Sequence, residues 1–190
     1  YLGFDSLSNV FASALDNGKG IFVLAATSNP EGRNVQKAII DNHTLAADMF
    51  TRLEKINKVN LDPAGQLGNF GAVVGATLNL QAAGLGELLT DDLATTPILA
   101  PGFGAQGAEL VDCGELFGKA APRVLASVSR SVLGAGPKGI VSAIQSANDE
   151  CPSVSPVNRL LQSFDSPMKN LLCRFAAGFL AFAVAPFAFA

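Results

Sequence analysis

Apolar residues along this chain fall into short, near-continuous runs, at residues 20 to 27, 70 to 77, 97 to 101 and 123 to 129. Runs of this length, bounded by glycine, proline or polar residues, describe strands buried on both faces, as a parallel sheet requires. Between them the spacing becomes helical. Leu7, Val10, Phe11 and Leu15 share one face over residues 5 to 15. Val35, Ile39, Ile40, Ala46, Ala47, Phe50 and Leu53 spread over a longer stretch interrupted by Asn34, Asn42 and Thr44. That pattern predicts a short helix, a break near Asp41 to His43, and a second helix running through Arg52-Leu53-Glu54-Lys55. Leu61-Asp62-Pro63-Ala64-Gly65 reads as a turn, and further helices are expected over Gln106 to Phe117 and Pro137 to Ala147. The alternation predicts an α/β fold of βα units around a parallel sheet. A helix ahead of the first run implies a strand ahead of that helix, and Tyr1-Leu2-Gly3 reads as its last remnant.

Composition narrows the class. With 190 residues, 49% of them apolar and 15% charged, the chain can bury a full core. A net charge of −3 argues against a nucleic-acid surface, which shows as a basic stripe. Cys113, Cys151 and Cys173 are odd in number and lack a C-x-x-C pair, so neither a disulfide framework nor a zinc site is expected. A reducing, cytoplasmic setting is the plain reading, and no secretory signal is visible. From Cys151 the chain changes character: residues 151 to 190 read as a polar linker with Pro152, Ser153, Ser155, Pro156 and Ser163, then an apolar tail from Phe175. That tail is shorter than the ~20 apolar residues of a spanning helix and is broken by Pro186, so no membrane contact is expected of it.

The chemistry concentrates at two strand ends. Pro97-Ile98-Leu99-Ala100-Pro101 breaks into Gly102-Phe103-Gly104-Ala105-Gln106-Gly107, and Val124-Leu125-Ala126-Ser127-Val128 ends in Ser129-Arg130. Glycines let the backbone approach an anion and turn N–H groups toward it, and an arginine offers a planar, permanently charged fork that fits phosphate oxygens. The two loops together point to a phosphorylated small molecule. A surface arginine pairing with a carboxylate, and glycines serving only a tight strand-to-helix turn, are the plainer readings of the same residues. His43, alone of its kind, sits away from every strand end and supports no metal site or catalytic triad.

Set beside Gly20-Ile21-Phe22-Val23-Leu24-Ala25-Ala26-Thr27-Ser28-Asn29-Pro30-Glu31-Gly32, Gly71-Ala72-Val73-Val74-Gly75-Ala76-Thr77 and Tyr1-Leu2-Gly3-Phe4, these loops closely resemble the second half of orotidine 5′-phosphate decarboxylase of the bacterial-type branch. The likeness runs from Tyr1 to about Asp149. It implies a partial TIM (β/α)8 barrel in which the four runs are strands five to eight, with residues 1 to 150 as the C-terminal half of the barrel domain, truncated at its N-terminus. It implies that Gln106 and Arg130 hold the substrate phosphate with their side chains, that the backbone around Gly104, Ser129 and Arg130 adds N–H donors, and that Ser28 meets the pyrimidine edge. Ser28-Asn29-Pro30 is equally a helix-start signal. No metal or organic cofactor is implied. The parent would be a homodimeric carboxy-lyase of pyrimidine biosynthesis, orotidine monophosphate to uridine monophosphate, with some relatives fused to orotate phosphoribosyltransferase.

In that family a D-x-K-x-x-D segment supplies the lysine that protonates the carbon losing carbon dioxide, one aspartate coming from the partner subunit. None of the lysines at 19, 37, 55, 58, 119, 138 and 169 has carboxylates at that spacing. The proton donor is expected upstream of Tyr1, and this chain alone is expected to be inactive. Two rivals stay open. Gly102-x-Gly104-x-x-Gly107 also satisfies the dinucleotide fingerprint, although the following strand ends without an acid for the ribose. A non-catalytic half-barrel that binds phosphate, or that pairs through its open sheet edges, is the other.

Overall fold

The computed structural model describes residues 3–61, 67–91 and 93–151. The expectations for Tyr1-Leu2, for most of the turn after Leu61 and for the linker and tail from Pro152 lie outside them. Four strands, β1 (Ile21–Ala26), β4 (Phe70–Val74), β5 (Ile98–Pro101) and β6 (Val124–Ser127), pair parallel in the order of the chain. Each falls inside an apolar run named above and is shorter than it, because the polar or glycine residues at the run ends leave the ladder. Two further strands, β2 (Ile39–Ile40) and β3 (His43–Thr44), make a separate antiparallel hairpin. The break expected near Asp41 to His43 is therefore a built turn: Asp41 and Asn42 adopt φ of 46° and 70°, the paired left-handed geometry of a tight hairpin.

The helices depart more from expectation. The first begins as a 3-10 turn at Phe4–Leu7 and continues as α1 (Ser8–Asp16). After Pro30 a 3-10 turn leads into α2, a single turn over Arg33–Gln36. Beyond the hairpin, α3 (Leu45–Asn60) runs past Lys55; the Thr44 hydroxyl caps it by accepting from the Ala47 N–H at 3.1 Å. The helix expected from Gln106 does not form there. Gly107 sits at φ 102°, which no α-helix admits, so helical structure waits for the 3-10 turn Leu110–Asp112 and the short α4 (Cys113–Phe117). After α5 (Arg130–Leu133), the last helix, α6 (Gly136–Glu150), contains the expected Pro137 to Ala147 span.

The register sorts side chains onto two faces. Val23, Ala72, Ile98 and Val124 stand in one row across the sheet and are all buried, along with Phe50, Met49, Leu53 and Leu85 of the core. The neighbouring row, Leu24, Val73, Leu99 and Leu125, belongs to the opposite face, where Leu24 is 50% and Leu125 40% exposed. Phe11 bridges α1 to the sheet through Phe4 and Phe70, with ring centroids at 5.2 and 4.7 Å. Arg52 pairs with Asp48 and Asp5 while lying over the Phe4 ring.

A buried polar belt fixes the N-terminal ends of the strands. Asn57 donates to the Phe70 carbonyl at 2.7 Å and to Thr96 Oγ1 at 3.2 Å, and accepts from the Phe70 N–H at 3.0 Å. A Cβ on Gly68 would collide with that amide at 2.2 Å, so glycine there is a packing requirement. One turn earlier, Glu54 accepts from the N–H and hydroxyl groups of both Thr95 and Thr96. With α3 stapled to β4 and to the segment entering β5, the opposite ends of the strands are held in a fixed array.

Candidate functional site

At the carboxyl ends of the sheet, neighbouring loops touch in sequence order. A Cβ on Gly75, just past β4, would lie 3.6 Å from the Ser28 nitrogen that follows β1. One on Gly102, past β5, would lie 3.5 Å from the Ala76 nitrogen and from Thr77 Cγ2. One on Gly104 would lie 3.4 Å from Ser131 Oγ in α5. These approaches are at ordinary packing distance, and they join the strand ends into a rim carrying Ser28, Thr77, the 102–107 loop and the start of α5.

The glycine loop is tightly wound. Gly102, Gly104 and Gly107 have φ of 119°, 74° and 102°, values that side-chain-bearing residues rarely adopt. The loop is closed by bonds from Gly104 N–H to the Ala108 carbonyl at 2.8 Å, Gly107 N–H to the Gly104 carbonyl at 2.9 Å and Ala108 N–H to the Gly102 carbonyl at 3.2 Å. The Gly104 amide, expected among the donors to an anion, is thus spent inside the loop, and Gly104 acts through its conformation and its closeness to α5. Gln106 is exposed at the crest of this turn. Ser129 and Arg130, also exposed, stand at the N-cap and first residue of α5 on the adjoining strand end.

The structure therefore brings Gly104, Gln106, Ser129 and Arg130 onto two contacting loops, and places Ser28 at the other end of the same rim. The dinucleotide reading loses its context, since that fingerprint sets its third glycine at the opening of a helix packed on the strand, whereas Gly107 is left-handed and α4 starts only at Cys113. Ser131 escaped the sequence reading, and Thr77 entered it only as the end of the run from Gly71, without a role at the site. Ser131 follows Arg130 directly, but its meeting with Gly104 is a tertiary event.

Other polar groups lie away from the rim. Exposed His43 is on the β2–β3 hairpin, and among the described residues no group of three His, Cys, Asp or Glu side chains could hold a metal ion. Burial pushes the Cys113 thiol up to about 12, helped by the neighbouring Cys151 thiol, so Cys113 is an inert core residue at neutral pH. A depression of about 640 Å3 lined by Asn9, Ser13, Lys19 and Ile21 opens at the N-terminal side of β1, away from these loops. Among the described residues no helix is long and apolar enough to cross a membrane.

Comparison with known proteins gives a consistent set. No protein-family model matches the chain. It is 45% identical over 153 residues to the orotidine 5′-phosphate decarboxylase of Streptomyces coelicolor, 43% over 150 residues to that of Salinispora arenicola and 46% over 138 residues to that of a Nocardioides species. These matches take in 78%, 78% and 70% of this chain but 50%, 50% and 46% of the relatives, so the chain spans about half the length of the curated relatives it matches. Among solved structures, one ascribed to the same enzyme from Streptomyces avermitilis superposes with a TM-score of 0.68 at 41% identity, over 80% of this chain and 51% of that one. An orotidine monophosphate decarboxylase of Leishmania donovani gives 0.56 at 25% identity, over 80% and 54%.

Proposed function

We propose that this chain, which belongs with the orotidine 5′-phosphate decarboxylases over the half of their length that it spans, is the part that grips the nucleotide in conversion of orotidine monophosphate to uridine monophosphate. The observation that carries this reading is the contact between the two loops of the rim. Gly104 lies close to Ser131, so the loop that carries Gln106 and the helix start that carries Ser129 and Arg130 are neighbours, with one side-chain amide and one guanidinium on adjoining strand ends. A guanidinium presents parallel N–H donors to two phosphate oxygens, a match that lysine cannot reproduce. Ser28, two strands away along the rim, is the residue offered to the pyrimidine.

Gripping the phosphate far from the reacting carbon is useful chemistry. Binding energy realised there can order loops and hold the base against groups that supply charge and a proton in the transition state. Those groups, a lysine flanked by carboxylates, match no lysine of this chain, so the reading assigns binding to these residues and proton transfer to others.

Titrating the purified chain with uridine monophosphate by calorimetry tests the assignment. Saturable binding that falls by about tenfold or more in Arg130→Ala, the loss of a charge-assisted pair, is the expected result. Equal affinity in the variant, or release of carbon dioxide from orotidine monophosphate by the chain alone, would overturn it.

A further inference from the structure

Gln36 closes a loop that no motif announced. Its side chain reaches back from the last residue of α2 to the first residue after β1: Oε1 accepts from the Thr27 N–H at 2.9 Å, and Nε2 donates to Thr27 Oγ1 at 2.9 Å. The pairing of β1 with β4 has just ended, the final bond being from the Gly75 N–H to the Ala26 carbonyl at 3.0 Å. Gln36 thus supplies the partner that a strand would otherwise offer to Thr27. Both residues are half-buried, whereas the segment between them, from Ser28 to Val35, is exposed except at Gly32. The clasp packs closely over Gly32, where a Cβ would sit 2.8 Å from Gln36 Nε2.

Ser28 is the next residue after Thr27. Its backbone is therefore held through the preceding residues, by the Gly75 N–H on the Ala26 carbonyl and by the Gln36 clasp on Thr27. We propose that Gln36 is a positioning residue: through Thr27 it sets the backbone from which Ser28 meets the base, and so determines how much the base, as distinct from the phosphate, contributes to nucleotide affinity. This rests on the nucleotide-binding reading given above. The clasp lies on the strand end that carries Ser28 and not on the loops carrying Gln106 and Arg130, so the two contributions separate.

The test compares uridine monophosphate with ribose 5-phosphate, titrated into the full chain and its variants. The unaltered chain is expected to prefer the nucleotide. Gln36→Ala should lower nucleotide affinity by about five- to tenfold, the worth of one or two hydrogen bonds, and leave ribose 5-phosphate affinity unchanged. Gln36→Glu, whose carboxylate accepts from both the Thr27 N–H and the Thr27 hydroxyl, should restore most of the preference. Hydrogen exchange at the Thr27 amide gives a second readout that needs no ligand: protection should be lost in Gln36→Ala and kept in Gln36→Glu. A preference undiminished in Gln36→Ala, or a Thr27 amide equally protected in both variants, overturns the proposal while the phosphate reading stands. If the unaltered chain binds neither compound, the nucleotide reading itself fails, and the base contribution assigned to Gln36 fails with it.

Discussion

Asn57 is 1% exposed, yet its amide meets both polar groups of Phe70 and the Thr96 hydroxyl, doing for the start of β4 what a neighbouring strand does further along. Replacing it by alanine strands a buried N–H and a buried carbonyl together, so Asn57→Ala is expected to cost about 2–4 kcal/mol in urea unfolding. Glu54, one turn back, responds to pH. Burial by itself would raise its carboxyl, but hydrogen bonds from the Thr96 and Thr95 side chains and amides outweigh it and hold the group below its ordinary value. A carboxyl lowered on folding adds stability that is fully present above its unfolded value, near about 4.3, and is lost as pH falls through the folded one. Unfolding free energy followed from pH 7 down to acid should therefore drop more steeply in the unaltered chain than in Glu54→Gln, and parallel curves would dismiss the role. Arg123 shares this belt, giving one N–H to the Thr96 carbonyl at 3.0 Å, with burial lowering its affinity for the proton against the pull of Glu54 and Asp91.

At the scale of elements, turns and caps decide what the apolar pattern leaves open. The β2–β3 hairpin depends on two consecutive left-handed residues, and Asn42 tolerates φ 70° better than most side chains because its short amide can bond locally. Asn42→Ala should destabilise the hairpin by about 1 kcal/mol, whereas Asn42→Gly should be close to neutral; thermal melts of the pair check this. Helix α4 shows the opposite control. The same glycines that shape the 102–107 loop hold the chain out of helical geometry until Leu110, so the loop gains its form at the expense of the helix expected from Gln106.

For the described residues as a whole, the sheet is one-sided. The helix-facing row is buried, and the row of Leu24, Val73, Leu99 and Leu125 is left with exposed leucines at both ends. An apolar row of this kind promotes association of chains. Light scattering of the purified chain should show mass growing with concentration, and Leu24→Lys combined with Leu125→Glu should reduce that growth. A monodisperse monomer at all concentrations would mean that this face is covered in solution.

The parallel order of strands, the glycine loop after β5 and the Ser129-Arg130 corner after β6 were legible from the sequence, as was the likeness to a decarboxylase half. These features are local: a buried strand declares itself by a continuous apolar run, and a sharp loop by its glycines. Helix lengths were less legible, because Gly107 could be counted but its φ could not be known. Contacts between residues far apart in the chain were not legible at all. Asn57 with Phe70, Glu54 with Thr95 and Thr96, Gly104 with Ser131 and Gln36 with Thr27 each join polar groups or bare backbone that carry no periodic signal. Sequence alone settled the four strands of the parallel sheet and which residue types stand at their ends, but not the β2–β3 hairpin. Only the tertiary structure decided which of those ends touch, because hydrogen bonds and close backbone approach depend on distances that sheet register and helix packing set.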